Sequence, residues 1–167
     1  VEIEETSFRY VDPKRFEYLK NLTAERLAEA DKKLKHARQT VEHALKKEGI
    51  SYRCDGRVKS IYSLHKKLAK YNQNIDRIYD IIALRFIVAD TTTCYLVLGI
   101  IHSLFTPMDG RVKDYIAMPK QNGYQSLHTT VITPDKQVVE FQIRTEEMHD
   151  YAERGLAATF FYNEQKL

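Results

Sequence analysis

Two acids, one basic segment and one basic-aromatic loop are the parts of this sequence with the residue types to do chemistry together. Asp80 stands at the entrance of a near-continuous apolar run, residues 81–89 (IIALRFIVA), and Glu140 alternates with apolar residues in VVEFQIR. A carboxylate fixed on a buried strand is rigid enough to hold a metal, although one at a strand end can equally cap a neighbouring turn. If the two strands are neighbours, Asp80 and Glu140 can share a divalent cation. Residues 57–71 (RVKSIYSLHKKLAKY) divide sharply at about 100° per residue, with Ile61, Leu64, Leu68 and Tyr71 on one side and Lys59, Ser63, Lys66, Lys67 and Lys70 on the other. Such a face is either solvated surface or a row of phosphate ligands. Arg57 and Lys59 near the helix start favour the second, because helix N-termini attract anions. The stretch 111–128, RVKDYIAMPKQNGYQSLH, follows Pro107 and Gly110 and has no helical period. It sets Lys113, Lys120, Asn122, Tyr124 and His128 among Tyr115, Ile116 and Met118, combining phosphate charge, a stacking face and directional hydrogen bonds. Strand-borne carboxylates with Mg²⁺ suit phosphoryl or nucleotidyl transfer, and two separate basic clusters suit one phosphorylated donor and one phosphorylated acceptor.

The whole chain bounds these readings. Its 167 residues fit one domain with a sizeable core, and 43% hydrophobic with 29% charged residues is an ordinary globular composition. A net charge of +3 is too small to imply nucleic-acid binding, so any anion site must come from local clustering. The two cysteines, Cys54 and Cys94, have no ligand-like spacing, and free thiols in a reducing cytoplasm are expected. The longest apolar run, near 95–101, is too short to cross a bilayer. There is no Walker A loop, GxGxxG, GxSxG or HExxH, which argues against P-loop kinases, Rossmann dehydrogenases, serine hydrolases and zincins.

The elements that must position these residues follow from periodicity. Residues 1–10 read as an extended lead-in. Asp12-Pro13 marks a helix start, and Leu27, Ala30, Leu34, Ala37, Val41 and Ala44/Leu45 form an apolar stripe that ends at Gly49. His36 and His43 read as surface residues of this helix. Residues 50–54 read as a short strand and Asp55-Gly56 as a turn, before a helix over 57–71. The run 81–89 reads as a buried strand in which Arg85 needs a partner or a polar exit. Asp90 or residues 91–93 cap a helix to about Phe105 carrying a boundary His102. Residues 126–133 and 137–144 form a hairpin about Pro134-Asp135, with Val139, Phe141 and Ile143 inward and Glu140, Gln142 and Arg144 on the other face. Thr145 caps a last helix carrying Met148, Tyr151/Ala152, Leu156 and Phe160.

Four blocks in order, GRVKSIYSLHKKL, IYDIIALRFIV, PMDGRVKDYIAMPKQNGYQSLHTTVI and VEFQIRTEEMHDYAERGLAA, resemble the (p)ppGpp synthetase domain of the RelA/SpoT family. SFRYVDPKRF extends a weaker similarity toward the N-terminus. The resemblance implies an α+β, nucleotidyltransferase-like fold, related to the polymerase β palm, with a mixed sheet of about five strands flanked by helices. It implies a single domain over 1–167, with a lead-in and helix over 1–50 and a catalytic core over 51–167. It implies transfer of the β,γ-pyrophosphate of ATP to the 3′-hydroxyl of GDP or GTP, releasing AMP, in the stringent response. By motif position, Asp80 and Glu140 would hold Mg²⁺, with Glu140 helping to deprotonate the hydroxyl. Arg57, Lys59, Ser63, Lys67 and Arg85 would bind ATP, with Arg57 and Arg85 on either side of adenine. Strict alternation from Asp80 puts Arg85 on the opposite sheet face, so twist or a bulge would have to bring it round. Lys113, Lys120, Asn122, Tyr124 and His128 would bind GDP or GTP, with Tyr124 stacked on guanine. Lys66 and Lys70 keep the surface reading.

RVKD at 111–114 is similar to the basic variant of long bifunctional members. That implies a hydrolase domain upstream and regulatory domains downstream in a longer protein, through which ribosome association is expected; no membrane or direct nucleic-acid partner is expected for this domain. AATFFY near the end, Val58 and His65 depart from the family's frequent residues without touching an assigned position. Two other readings compete: a catalytically silent nucleotide-binding module of the same fold, and a transferase acting on RNA ends, which would show salt-sensitive RNA binding.

Overall fold

The computed structural model describes residues 2–75, 78 and 82–154, by backbone alone at 2–3 and 27–33. The described elements run α1 (Glu2–Val11), α2 (Pro13–Lys47), β1 (Tyr52–Val58), α3 (Ile61–Lys70), β2 (Ile82–Val88), α4 (Thr91–Leu104), β3 (Thr106–Asp114), β4 (Leu127–Ile132), β5 (Val138–Thr145) and α5 (Glu146–Arg154). The strands form one sheet in the order β1-β2-β5-β4-β3, antiparallel except for the parallel β2–β5 pair. That pair satisfies the condition set by the sequence, since the IALRFIV strand and the strand of Glu140 are direct neighbours. No helix among the described residues is long and apolar enough to cross a membrane.

Hydrophobic alternation decides which way the sheet faces. Leu84, Phe86 and Val88 of β2, Val139, Phe141 and Ile143 of β5, and Leu127 and Val131 of β4 pack with Val41 and Leu45 of α2 and Val97 and Ile101 of α4. Each such side chain, when fully buried, contributes roughly 1.5–3 kcal/mol, which commits this face to the core. The other face is left to polar side chains. The caps read from sequence hold: Asp12 accepts from the Arg15 N–H, Asp90 from the Thr93 N–H, and Thr145 Oγ1 from the Met148 N–H. Gly49 ends α2 at φ +67°, and the 137–144 strand keeps the predicted inward and outward sets. Along α2, Ala37, Val41 and Leu45 are buried as the stripe requires, whereas Leu27 and Ala30 fall where only backbone is described.

Several expectations are corrected. The lead-in is a helix: α1 buries Phe8 against Phe16, Tyr62 and His65. Asp55-Gly56 is no turn but lies within β1, because pairing with β2 in register (Asp55↔Arg85, Gly56↔Leu84) outweighs the local turn preference. Arg57 is consequently a strand residue, and the helix expected from it begins at Ile61 behind the N-cap Ser60. Residues 106–114, read as loop, form the edge strand β3, bulged between Pro107 and Val112 with Gly110 at φ +66°. Leu156 and Phe160 lie outside the described residues.

Candidate active site

Register places one row of polar side chains across all five strands: Asp55 of β1 beside Arg85 of β2, beside Gln142 of β5, beside His128 of β4, beside Lys113 of β3. Directly paired residues share a face. The next row joins Arg57, Ala83, Glu140 and Thr130. Arg57, Arg85, Glu140, His128 and Lys113 therefore share the face opposite the core. Arg85 sits on this face by its pairing with Asp55 and Gln142. Asp80, whose alternation set the contrary expectation, lies outside the described residues.

Glu140 Oε1 accepts from Gln142 Nε2 at 3.1 Å and stands 3.7 Å from His128 Nδ1, an ion-pair separation rather than a hydrogen bond. His128 Nε2 meets the Tyr124 hydroxyl at 2.8 Å. With the hydroxyl as donor, the imidazole proton sits on Nδ1 and faces the carboxylate. The residues thus form a chain from the loop aromatic to the strand carboxylate. Tyr115, Tyr124 and His128 pack edge to face, with centroids 5.4–6.2 Å apart.

The connection between β3 and β4 is built by its own backbone. Asp114 accepts from the N–H groups of Ile116 and Ala117 and from the Tyr95 hydroxyl. Burial alone would raise this carboxyl, but those three donors outweigh it and hold its pKa below the usual range. Asn122 Oδ1 accepts from the Tyr124 N–H, and the Lys120 and Tyr124 backbones close the turn with Gly123 at φ +78°. The Lys120 ammonium lies over the rings of Tyr115 and Tyr124, 4.7 and 5.1 Å from their centroids. Its residue has solvent access, yet crowding in the cleft, then Arg57 and Lys59, press its pKa below the ordinary lysine range against the pull of Glu140. Loop lysine, donor-side cations and strand carboxylate are thereby close enough to sense one another electrostatically.

On the donor side, α3 presents Ser63 and Lys67 at intermediate exposure. Ser63 Oγ accepts from Ser60 Oγ, and its N–H donates to the same hydroxyl. The first amides of α3 are already engaged: Glu5 of α1 accepts from the N–H of Ile61 at 3.1 Å and of Tyr62 at 2.9 Å. The helix N-terminus that the sequence offered to an anion thus holds an internal carboxylate. Lys66 pairs with Glu4 and lies over the Tyr62 ring, and Lys70 is exposed, so both keep their surface reading.

Helix α5 covers part of this face through charge rather than apolar burial. Arg144, only 2% exposed, donates to His149 Nδ1 at 2.8 Å and to Glu153 Oε1 at 3.2 Å. The same Glu153 oxygen lies 3.4 Å from Arg85 Nη1, and Asp55 is at 3.8 Å. Sequence reasoning assigned nothing to Glu5, Gln142, Arg144 or Glu153. Gln142 and Arg144 were legible as the outward set of their strand, but only the three-dimensional register makes Glu5 and Glu153 their neighbours' partners. His102, half-buried, is the boundary histidine expected and meets Thr129 Oγ1 at 2.8 Å. His36 and His43 are exposed, and both cysteines are free thiols pushed up by burial, Cys54 to about 11 and Cys94 to about 12.

A mixed five-stranded sheet, with α2 and α4 over one face and a carboxylate, arginines and a basic-aromatic loop on the other, is a nucleotidyltransferase-like domain. Residues 56–167 match the model of a region found in RelA/SpoT proteins, and the chain belongs to that family. It is 43% identical over 165 residues to a GTP pyrophosphokinase of Myxococcus xanthus, covering 99% of this chain and 22% of the relative. It is 44% identical over 163 residues to the bifunctional (p)ppGpp synthase/hydrolase SpoT of Escherichia coli (strain K12), covering 98% of this chain and 23% of that protein. The chain thus spans less than a quarter of the length of these relatives. The crystal structure of small alarmone synthetase 1 from Bacillus subtilis bound to its product pppGpp is similar with a TM-score of 0.62 and 26% identity, over 84% of this chain and 79% of that one.

Proposed function

We propose that the domain is a (p)ppGpp synthetase that moves the β,γ-pyrophosphate of ATP to the ribose 3′-hydroxyl of GDP or GTP. The observation that carries this reading is the single sheet face on which Arg57 and Arg85 stand on one side of Glu140 and His128 and Lys113 on the other. That order supports a donor on the β1–β2 side, an acceptor on the β4–β3 side and a carboxylate between them. The 3′-oxygen attacks the β-phosphorus of ATP, the bond from that phosphorus to the α,β-bridging oxygen breaks, and AMP leaves. Glu140 takes the hydroxyl proton, while His128 and Gln142 fix the carboxylate. Tyr124 stacks on guanine, with Asn122 and His128 placing the acceptor and Lys113 and Lys120 meeting its phosphates. Arg57 and Arg85 flank adenine, and Lys59, Ser63 and Lys67 take the triphosphate.

Mg²⁺ fits this donor set. The ion characteristically takes one or two carboxylates together with substrate phosphates, and Glu140 offers such an oxygen on a rigid strand. Glu140 and Asp80 would hold the ion. When bound, it would neutralise polyphosphate charge and polarise the attacked phosphorus.

Incubation with ATP, Mg²⁺ and GDP is the test. AMP and ppGpp should appear in equal amounts, and Asp80→Asn or Glu140→Gln should abolish both. Nucleotide binding without product would indicate a silent binding module, and product formed equally well by these variants would sink the mechanism.

A further inference from the structure

We propose that Glu153 is a positioning residue for the donor nucleotide, fixing the Arg85 guanidinium so that adenine affinity depends on it. The inference rests on the donor-side reading above and adds a residue that reading does not contain.

Arg85 is not a surface cation that can follow a ligand: its side chain is 9% exposed. A buried guanidinium costs free energy unless its N–H groups are met, and here a second buried one, Arg144, lies close enough to repel it. Burial, then Arg144, press the Arg85 pKa down, while Asp55 and Glu153 oppose them. Arg85 donates to Glu153 of α5 at 3.4 Å, whereas Asp55 of β1 stands at 3.8 Å, an ion-pair separation without a hydrogen bond. One oxygen of Glu153 also accepts from Arg144, tying the two cations to a common point. Among the described residues the Nε of each arginine has no hydrogen-bond partner, so the bond to Glu153 sets where the Arg85 guanidinium lies.

Arg57 and Arg85 are diagonal neighbours on one face of the β1–β2 pair, since Arg57 pairs with Ala83 two residues away. Diagonal neighbours lie about 7–8 Å apart, twice the roughly 3.5–4 Å contact distance of stacked planes, so one flat ring fits between two flat cations. A ring so held is sensitive to where the buried cation points, and Glu153 is the residue that decides this.

A merely structural role for Glu153 predicts something different. α5 also touches the acceptor loop, where the Tyr151 hydroxyl donates to the Asn122 carbonyl at 3.3 Å. If Glu153 only docked α5, its loss would weaken both nucleotides alike. The test is calorimetric titration of the chain with a non-hydrolysable ATP analogue and, separately, with GDP. Glu153→Gln, at a side chain 52% exposed, should weaken the ATP analogue on the order of tenfold and leave GDP unchanged. Glu153→Asp should recover part of the loss. Asp55→Asn, acting on Arg85 without touching α5, should weaken the ATP analogue in the same selective way. Equal weakening of both nucleotides by Glu153→Gln, or wild-type affinity for the ATP analogue in Glu153→Gln, overturns the proposal. If the wild-type chain binds neither nucleotide, the functional reading falls and this inference with it.

Discussion

Replacing Gly123 by Ala should damage the acceptor side selectively, and the structure supplies the magnitude. Gly123 has φ +78°, a conformation that costs an L-residue about 1–2 kcal/mol. A Cβ at this position would stand 2.5 Å from the Tyr151 hydroxyl oxygen and 3.0 Å from two ring carbons. The ring must move, and the bond from its hydroxyl to the Asn122 carbonyl is lost, at roughly 0.5–1.5 kcal/mol. Together the cost is about 1.5–3.5 kcal/mol, which in a domain of this size lowers Tm by about 3–14 °C if the loop stays docked. If the loop detaches instead, Tm changes less and the loss appears in GDP binding, because Gly123 lies between Asn122 and Tyr124. Thermal melts and steady-state kinetics on the same variant distinguish the two routes. Under the second, KM for GDP should rise on the order of tenfold with KM for ATP unchanged. Adding Tyr151→Phe removes the contact at 2.5 Å but not those at 3.0 Å, so recovery should be partial. A Gly123→Ala variant with wild-type Tm and wild-type KM for GDP would refute the reasoning.

Three further outcomes follow from other parts of the fold. Glu5→Ala leaves two amides at the start of α3 without their carboxylate, and a loss of about 1–2 kcal/mol should be read in urea unfolding. His149 is held neutral by burial, then by Arg144 and Arg85, with Glu153 opposing, so its folded-state pKa lies below 6.5. The unfolded chain then takes up the proton first, so this stability is present above pH 6.5 and is lost as pH falls through the folded value; His149→Asn should flatten that part of the stability–pH curve. Lys120, with its pKa lowered by crowding of its ammonium in the cleft and then by Arg57 and Lys59, should lose its charge at a lower pH than a free lysine. GDP affinity should therefore fall on the alkaline side earlier than in a variant such as Arg57→Gln, where one of the cations pressing on Lys120 is gone.

Much of the frame was legible because alternation and capping are local. The run 81–89, described from Ile82, declares a buried strand through its Ile, Val and Phe, and 137–144 declares a half-apolar strand whose alternation gives Glu140 its face before any pairing is known. Asp12, Asp90 and Thr145 announced helix starts by the hydrogen bonds their side chains make within a turn. What escaped was set by distant partners. Among its described side chains α1 buries one apolar anchor, Phe8, too few to leave a period, and it is held by contacts with α3. Asp55-Gly56 has the local chemistry of a turn but is drawn into β1 by seven consecutive pairings with β2. β3 is an edge strand with most side chains exposed, so it carries no hydrophobic alternation to read. The face of Arg85 and the grip of Glu153 on it depend on the register among β1, β2 and β5 and on where α5 lands, neither of which a single sequence displays.

The most direct measurement is a crystal structure with GDP and a non-hydrolysable ATP analogue bound together, read for which base lies on Tyr124. The account predicts guanine on Tyr124, adenine between Arg57 and Arg85, and the ribose 3′-hydroxyl within hydrogen-bond reach of Glu140. Adenine on Tyr124, or a 3′-hydroxyl remote from Glu140, would contradict it.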